Sequence, residues 1–380
     1  MASIKLKGDT SGELTIQAPS VAGTNTLDLP ASSGTLLTTT GNGSQLTGLP
    51  NSYAGTKNRI INGNMAIDQR NAGASVTPAN GAYLLDRYSV IRSQASKFSV
   101  QQVTDAPVGF TNSMLITSLS AYSVVASDIF HVMQKIEGYN VYDLAWGTAS
   151  AQSVTVSFWA KSSLTGTFGG SLVNSAEDRS YPFTYTISSA NTWEYKTVTV
   201  AGDTTGTWLT NNGIGIRCHF TIGMGSNYTA TAGAWTAGAK FAPTGATSVV
   251  GTSGATLYIT GVQLETGTTA TDFENLQYGQ QLALCQRYYY ATSSAFIAAT
   301  ATTLCYNLQF PVTMRSTPTE THTYAGVVND VYNIITAATP TFVPNGNFPI
   351  NTGMKFAYDF DAGLTAGQPY QTDFTFSAEL

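Results

Sequence analysis

Apolar residues recur at every second position in this chain, in runs too short and too often interrupted to form helices. Val154, Val156 and Phe158 alternate with Ser153, Thr155 and Ser157, and Phe183, Tyr185 and Ile187 alternate with Thr184 and Thr186. Ile214, Ile216, Cys218 and Phe220 oppose Gly215, Arg217 and His219, which places Cys218 in a core and His219 outward. A period of two is the signature of strands with one buried face. Leu257-Tyr258-Ile259-Thr260 and Val262-Gln263-Leu264 form one further strand broken at Gly261, which predicts a bulge. Turn residues separate the runs, among them Asn191, Gly202-Asp203 and Asn211-Asn212-Gly213. The Gly/Ala/Thr stretches 223–238 and 244–254 read as surface loops.

These patterns divide the 380 residues into three parts and make the chain all-β. Residues 1–57 carry short apolar pieces at even spacing, Ile4-Lys5-Leu6, Leu14-Thr15-Ile16, Leu27-Asp28-Leu29 and Leu36-Leu37. None can bury enough surface to offset its ordering entropy. We expect an extended segment in which several chains intertwine, most simply as a homotrimer. Residues 58–276 read as a central antiparallel β-sandwich of jelly-roll type. Residues 277–380 read as a short helix followed by a C-terminal β tip domain. In that region Asn275–Tyr290 suits a helix of three turns with Tyr278, Leu282, Cys285 and Tyr289 on one packed stripe. Leu304, Tyr306, Leu308 and Phe310, then Met354, Phe356, Tyr358 and Phe360, mark later strands.

Charged residues make up only 10% of the chain, and the formal net charge is -5. There is no basic footprint for nucleic acid and no Lys/Arg run for an anionic membrane. No apolar stretch reaches 18 residues, so no membrane insertion is expected. Met1–Gly12 lacks the apolar core of a signal peptide. Cys218, Cys285 and Cys305 have no CxxC spacing and read as small buried hydrophobes.

Catalysis finds little support. Glu177-Asp178 reads as a solvated hairpin tip, and Glu265, Asp272 and Glu274 as loop hydrogen-bonding groups. His131, His219 and His322 lie far apart, with no HxH or HExxH spacing. There is no GxSxG elbow and no phosphate-cradling loop before a helix. No catalytic residue, metal or cofactor is expected. Saccharide binding draws on aromatic faces and on Asn, Asp and Gln, and 11% of residues are aromatic, with 20 Tyr and 5 Trp. Trp235 and Tyr228 are the expected exposed rings, and Asn345 and Asn347 sit in a Pro-rich loop region of the tip. Trp146, Trp159 and Trp193 read as core residues.

Arg59-Ile60-Ile61-Asn62-Gly63-Asn64-Met65 with Asp68-Gln69-Arg70 and Leu85-Asp86-Arg87-Tyr88 resembles the start of the carbohydrate-binding-module-like jelly roll of bacteriophage tail fibres. Val262–Gly267 through Phe273-Glu274 is similar to that domain's closing strand, and Tyr278–Tyr289 resembles the join to a distal domain. Thr15–Pro19, Leu27–Pro30 and Gly34–Thr39 are similar to particle-attachment segments of virion proteins. The resemblance implies a non-enzymatic, trimeric tail fibre on the virion. Its N-terminus would hold other tail or adaptor proteins and its C-terminal tip a host surface glycan or receptor. A head fibre or capsid decoration protein with a purely structural role is the alternative, and a glycan depolymerase a more distant one. Related sandwiches bind Ca²⁺ through acidic residues where this chain has Ala66 and Thr260-Gly261, so the resemblance implies no metal here.

Overall fold

The computed structural model describes the strands Ser3–Lys7 and Glu13–Gln17, residues 57–298, 303–324 and 366–380, and, between 325 and 365, only the strands named below. The chain divides into two units, Met1–Ser52 and Tyr53–Leu380. In the first, β1 (Ser3–Lys7) and β2 (Glu13–Gln17) pair antiparallel, with Ile4 opposite Ile16 and Leu6 opposite Leu14. The expected pieces at Leu27–Leu29 and Leu36-Leu37 lie outside the described residues.

The second unit opens with two packed antiparallel sheets. The strands in order are β3 (Tyr88–Arg92), β4 (Phe98–Val103), β5 (Ser113–Ser118), β6 (Ile129–Glu137), β7 (Val154–Ser162), β8 (Gly166–Val173), β9 (Arg179–Ile187), β10 (Glu194–Val200) and β11 (Ile214–Met224). Three two-residue strands follow, β12 (Thr229–Ala230), β13 (Thr236–Ala237) and β14 (Ala242–Pro243), and then β15 (Thr256–Thr266). One sheet has the order β10-β7-β15-β5-β4 and the other β13-β9-β8-β11-β6-β3. From β5 to β11 the chain changes sheet at every step except β8 to β9, and β5 pairs with β15, β6 with β11, β7 with β10 and β8 with β9. This is the jelly-roll order expected of the sandwich.

The alternation decides what lies between the sheets. Val154, Val156, Phe158 and Ala160 of β7 meet Ile216, Cys218, Phe220 and Ile222 of β11, together with Phe168, Phe183 and Leu264, all buried. Phe158 packs edge-on to Tyr185 and Phe220, at 4.9 and 5.0 Å between centroids. Burial of such side chains contributes about 1.5–3 kcal/mol each. The predicted bulge in β15 is present. The register against β7 shifts between Thr260 and Gln263, and Gly261 has φ +61°.

The helix α1 spans Tyr278–Gln286, shorter than the expected Asn275–Tyr290, because Tyr289 starts the next strand. Its stripe is only partly packed. Cys285 is buried, but Tyr278 is exposed. Beyond it lie β16 (Tyr289–Ala298), β17 (Thr303–Gln309), β18 (Thr319–Tyr324), β19 (Val327–Val328), β20 (Tyr332–Asn333), β21 (Pro344–Asn345), β22 (Pro349–Ile350), β23 (Gly353–Phe360) and β24 (Pro369–Ser377), joined in one antiparallel sheet. The sheet is bound to the sandwich by Ile61, Ile67, Cys285 and Tyr288. Charge reinforces that junction. Buried Glu137 accepts from Arg287 at 3.0 and 2.6 Å and from the Tyr288 hydroxyl at 2.6 Å. Arg87 lies 3.5 Å from the Tyr288 ring centroid and pairs with Glu379. Among the described residues no helix is long and apolar enough to cross a membrane.

Candidate functional site

Because Val154, Val156, Phe158 and Ala160 point inward, Thr155, Ser157, Trp159 and Lys161 stand on the outer face of the five-stranded sheet. Tyr195 of β10 lies directly across from Trp159, with ring centroids 5.4 Å apart at 48°. On the other flank Thr260 of β15 pairs with Trp159. The next residue is the bulge glycine. A Cβ on Gly261 would come within 2.7 Å of the Phe110 ring and 3.2 Å of Trp159. Gly261 therefore serves twice: it adopts the left-handed backbone of the bulge and lets two aromatic rings close over it.

Two segments form walls on this floor. The first runs from Asp105 to Asn112. The Thr260 hydroxyl donates to the Asn112 carbonyl at 2.7 Å, and the Ser113 hydroxyl to that of Asp105 at 2.6 Å. The Lys161 ammonium pairs with the Asp105 carboxylate, whose pKa that hydrogen bond holds below the usual range. The second wall, 267–274, crosses the sheet after β15. Fully buried Gln263 accepts from the Glu274 amide at 2.8 Å, and Glu265 accepts from the Thr271 amide at 2.8 Å and its hydroxyl at 2.6 Å. The walls meet where Phe110 and Phe273 pack edge to face, 5.0 Å apart.

The result is an open cleft of about 460 Å³ lined by Phe110, Ser157, Trp159, Tyr195, Gly261 and residues 270–273. Its volume lies within the range of small-molecule sites, roughly 300–1,000 Å³. The aromatic surface continues past the cleft. Trp193 meets Tyr258 edge-on at 6.0 Å, and the Lys161 ammonium lies 4.2 Å from the Tyr258 centroid and 5.1 Å from that of Trp193. Flat rings beside a few fixed hydroxyl and carboxylate groups suit a ligand with one apolar and one hydroxylated aspect.

The structure redistributes the residues singled out from the sequence. Trp159 and Trp193, expected in the core, are half-buried on the outer face. The signal was present in the sequence, since the inward set Val154, Val156 and Phe158 sends Trp159 the other way. Trp235, expected to be exposed, is half-buried. Its ring packs 5.3 Å from both Trp146 and Trp208, and its indole N–H donates to the Ala201 carbonyl at 2.7 Å. Tyr228 is half-buried and stacks on Phe241 at 5.8 Å. Neither joins the cleft. Asn345 falls in β21 opposite Asp359, and Asn347 lies outside the described residues. Glu177 pairs with Arg217 at 2.8 Å at the β8–β9 turn, and Asp178 accepts from Asn174 at 2.6 Å.

The opposite face of the sandwich is closed. His131 and Met133 of β6 and His219 and Thr221 of β11 share the outer face of the six-stranded sheet. His219 does point away from the core, as expected, yet it is 1% exposed because residues 226–247 fold over it. Phe241 lies 5.3 Å from His131 and 5.1 Å from His219, and the two imidazoles are 4.4 Å apart. Burial, with Arg217 nearby, drives the His131 pKa down to about 3, and burial pushes His219 well below its ordinary value. Among the described residues no three His, Cys, Asp or Glu side chains cluster as metal ligands. The side chain of His322 lies outside the described set.

No protein-family model matches the chain, and no curated protein matches it. Among solved structures it is similar to the enzymatically active domain of bacteriophage CBA120 tailspike protein 4, at 11% identity over 50% of this chain and TM-score 0.30. This chain spans 21% of that one. It is also similar to TmCBM61 in complex with β-1,4-galactotriose, at 11% identity over 56% of this chain and 100% of the other, TM-score 0.29. The family 11 carbohydrate-binding module of Clostridium thermocellum, in complex with a mixed-linked tetrasaccharide, has 11% identity over 52% and 97%, TM-score 0.26. Likeness of this degree carries no functional argument, which must come from this chain's own surface.

Proposed function

We propose that the chain is a non-enzymatic, glycan-binding virion protein, a tail fibre whose sandwich holds saccharide in the cleft around Trp159. The observation that carries this reading is the Trp159–Tyr195 platform, held open between two pinned walls. Binding is favoured over hydrolysis by the carboxylates. A glycosidase sets two across the scissile bond, whereas Asp272 is the carboxylate that lines this cleft, and Glu265 is committed to Thr271. Virion placement and trimerisation rest on the sequence resemblance and on the thin apolar pieces of residues 1–57. Three copies on one fibre would multiply a weak single-site affinity.

Glycan-array screening of the full chain, followed by calorimetry on the best hit, tests the reading. Trp159→Ala should weaken binding about tenfold or more, the loss of roughly 1.4 kcal/mol or more expected for a central aromatic anchor. Equal affinity of wild type and Trp159→Ala would remove the cleft from consideration. Binding that survives deletion of 291–380 would place the receptor contact on the sandwich and not on the tip. Solution mass of the full chain reports the trimer.

A further inference from the structure

We infer that the cleft takes neutral saccharide segments and turns away acidic ones, with Asp272 as the discriminating residue. The inference rests on the glycan-binding reading and goes beyond it to the ligand's chemical class. Of the nine lining residues, Asp272 is the one with a charged side chain. Asp272 is exposed, and its carboxylate has no hydrogen-bond or ion-pair partner among the described residues, although its backbone carbonyl accepts from Lys57 at 2.5 Å.

No cation lines the cleft, and of Lys161, Arg59 and Lys57 the first two are paired with carboxylates. Lys161 pairs with Asp105 and lies over Tyr258 and Trp193. Lys57 donates to the Thr271 hydroxyl and to the Asp272 carbonyl and does not line the cleft. Arg59 pairs with Asp143 at 2.6 Å. A uronate or phosphorylated sugar placed here would give up hydration without gaining a cation from the lining and would face a like charge. Sugar hydroxyls, by contrast, can donate to a free carboxylate in charge-assisted hydrogen bonds. Ser157 adds a hydroxyl to the lining, while Trp159, Tyr195, Phe110 and Phe273 offer aromatic surface to the C–H face of a ring. The net charge of -5 works in the same direction at longer range.

The test uses paired probes with the full chain: gluco-, galacto- and manno-oligosaccharides against glucuronan, galacturonan and mannuronan oligomers of equal length. Affinities are measured at low and high salt. We expect at least one neutral series to bind and its uronate counterpart to bind at least about tenfold more weakly at low salt. High salt should narrow the gap through screening. Asp272→Asn should weaken the neutral ligand and shrink the neutral-to-acidic ratio several-fold, with an unchanged melting temperature because the side chain is exposed. A uronate bound as tightly as its neutral partner, and lost on Trp159→Ala, overturns the selectivity while leaving the cleft reading intact. An unchanged ratio in Asp272→Asn overturns the role of that residue. Failure of every probe to bind, or binding indifferent to Trp159→Ala, overturns the cleft reading and this inference with it.

Discussion

The two outer faces of the sandwich start from the same strand chemistry and end differently. On the five-stranded sheet, Trp159 stands between core residues Phe158 and Ala160 and, with exposed Tyr195, lines an open cleft. On the six-stranded sheet, His131, His219 and Thr221 alternate with core residues in the same way and are sealed. The difference lies in the long connections. Residues 226–247 fold flat across β8, β11 and β6, with Phe241 plugging the centre and Pro243 over Gly169. The segments 105–112 and 267–274 instead form walls on their sheet that meet at Phe110 and Phe273 and leave Trp159 and Tyr195 lining a cleft. An outward residue thus becomes core or site according to what a distant stretch does.

Four measurements would break or sharpen this contrast. The largest effect should come from removing the plug. Phe241→Ala is expected to lower stability by about 4 kcal/mol in chemical denaturation, and a loss under about 1 kcal/mol would mean that residues 226–247 are no seal. Next, a Cβ on Gly169 would fall 2.2 Å from the Pro243 ring and 2.8 Å from the Phe183 carbonyl. Gly169→Val should cost about 3 kcal/mol through overpacking, where Thr197→Val, exposed on the open side, should stay within about 0.5 kcal/mol.

Acid should act on the sealed side third. An unfolded imidazole titrates near 6.5 and His131 in the fold near 3, so the folded state disfavours the proton. That contribution is whole above pH 6.5 and drains away as pH falls toward 3. At pH 5 the loss from His131 alone is about 2 kcal/mol. Replacing both histidines with Phe should flatten the stability profile between pH 6.5 and 5, and an equal slope in the double variant would assign acid lability elsewhere. The smallest change belongs to the open side. Trp159→Ala, half-buried on a solvated face, should cost under about 1 kcal/mol in a thermal melt while still impairing saccharide binding.

Much of the fold was legible because the alternation is local. The β7 pattern, the inward Cys218 and the bulge at Gly261 follow from neighbouring residues alone. The cleft was less so. Which way Trp159 points could be read from Val156 and Phe158, but whether that side stays open depends on contacts more than 100 residues away, such as Thr260 with Asn112. A general tendency of Trp to be buried was the wrong guide there. It would have served better for Trp235, which is packed by Trp146 and Trp208. The Gly/Ala/Thr stretch around Tyr228 read as a loop because no periodicity marks a lid.

Where the chain enters the sandwich it is stitched to where the chain leaves. Asn58 receives the amide of Leu264 at 3.0 Å, gives its side-chain N–H to Val262 at 3.0 Å, and donates its own amide to Glu274 at 2.8 Å. A pull applied along the polypeptide from either side would therefore travel across this short bridge, which touches β15 alone of the sandwich's longer strands. The sandwich hangs beside the line of tension like a lantern on a cable, so such a pull would load the stitch at Asn58 before the strands that lie away from it.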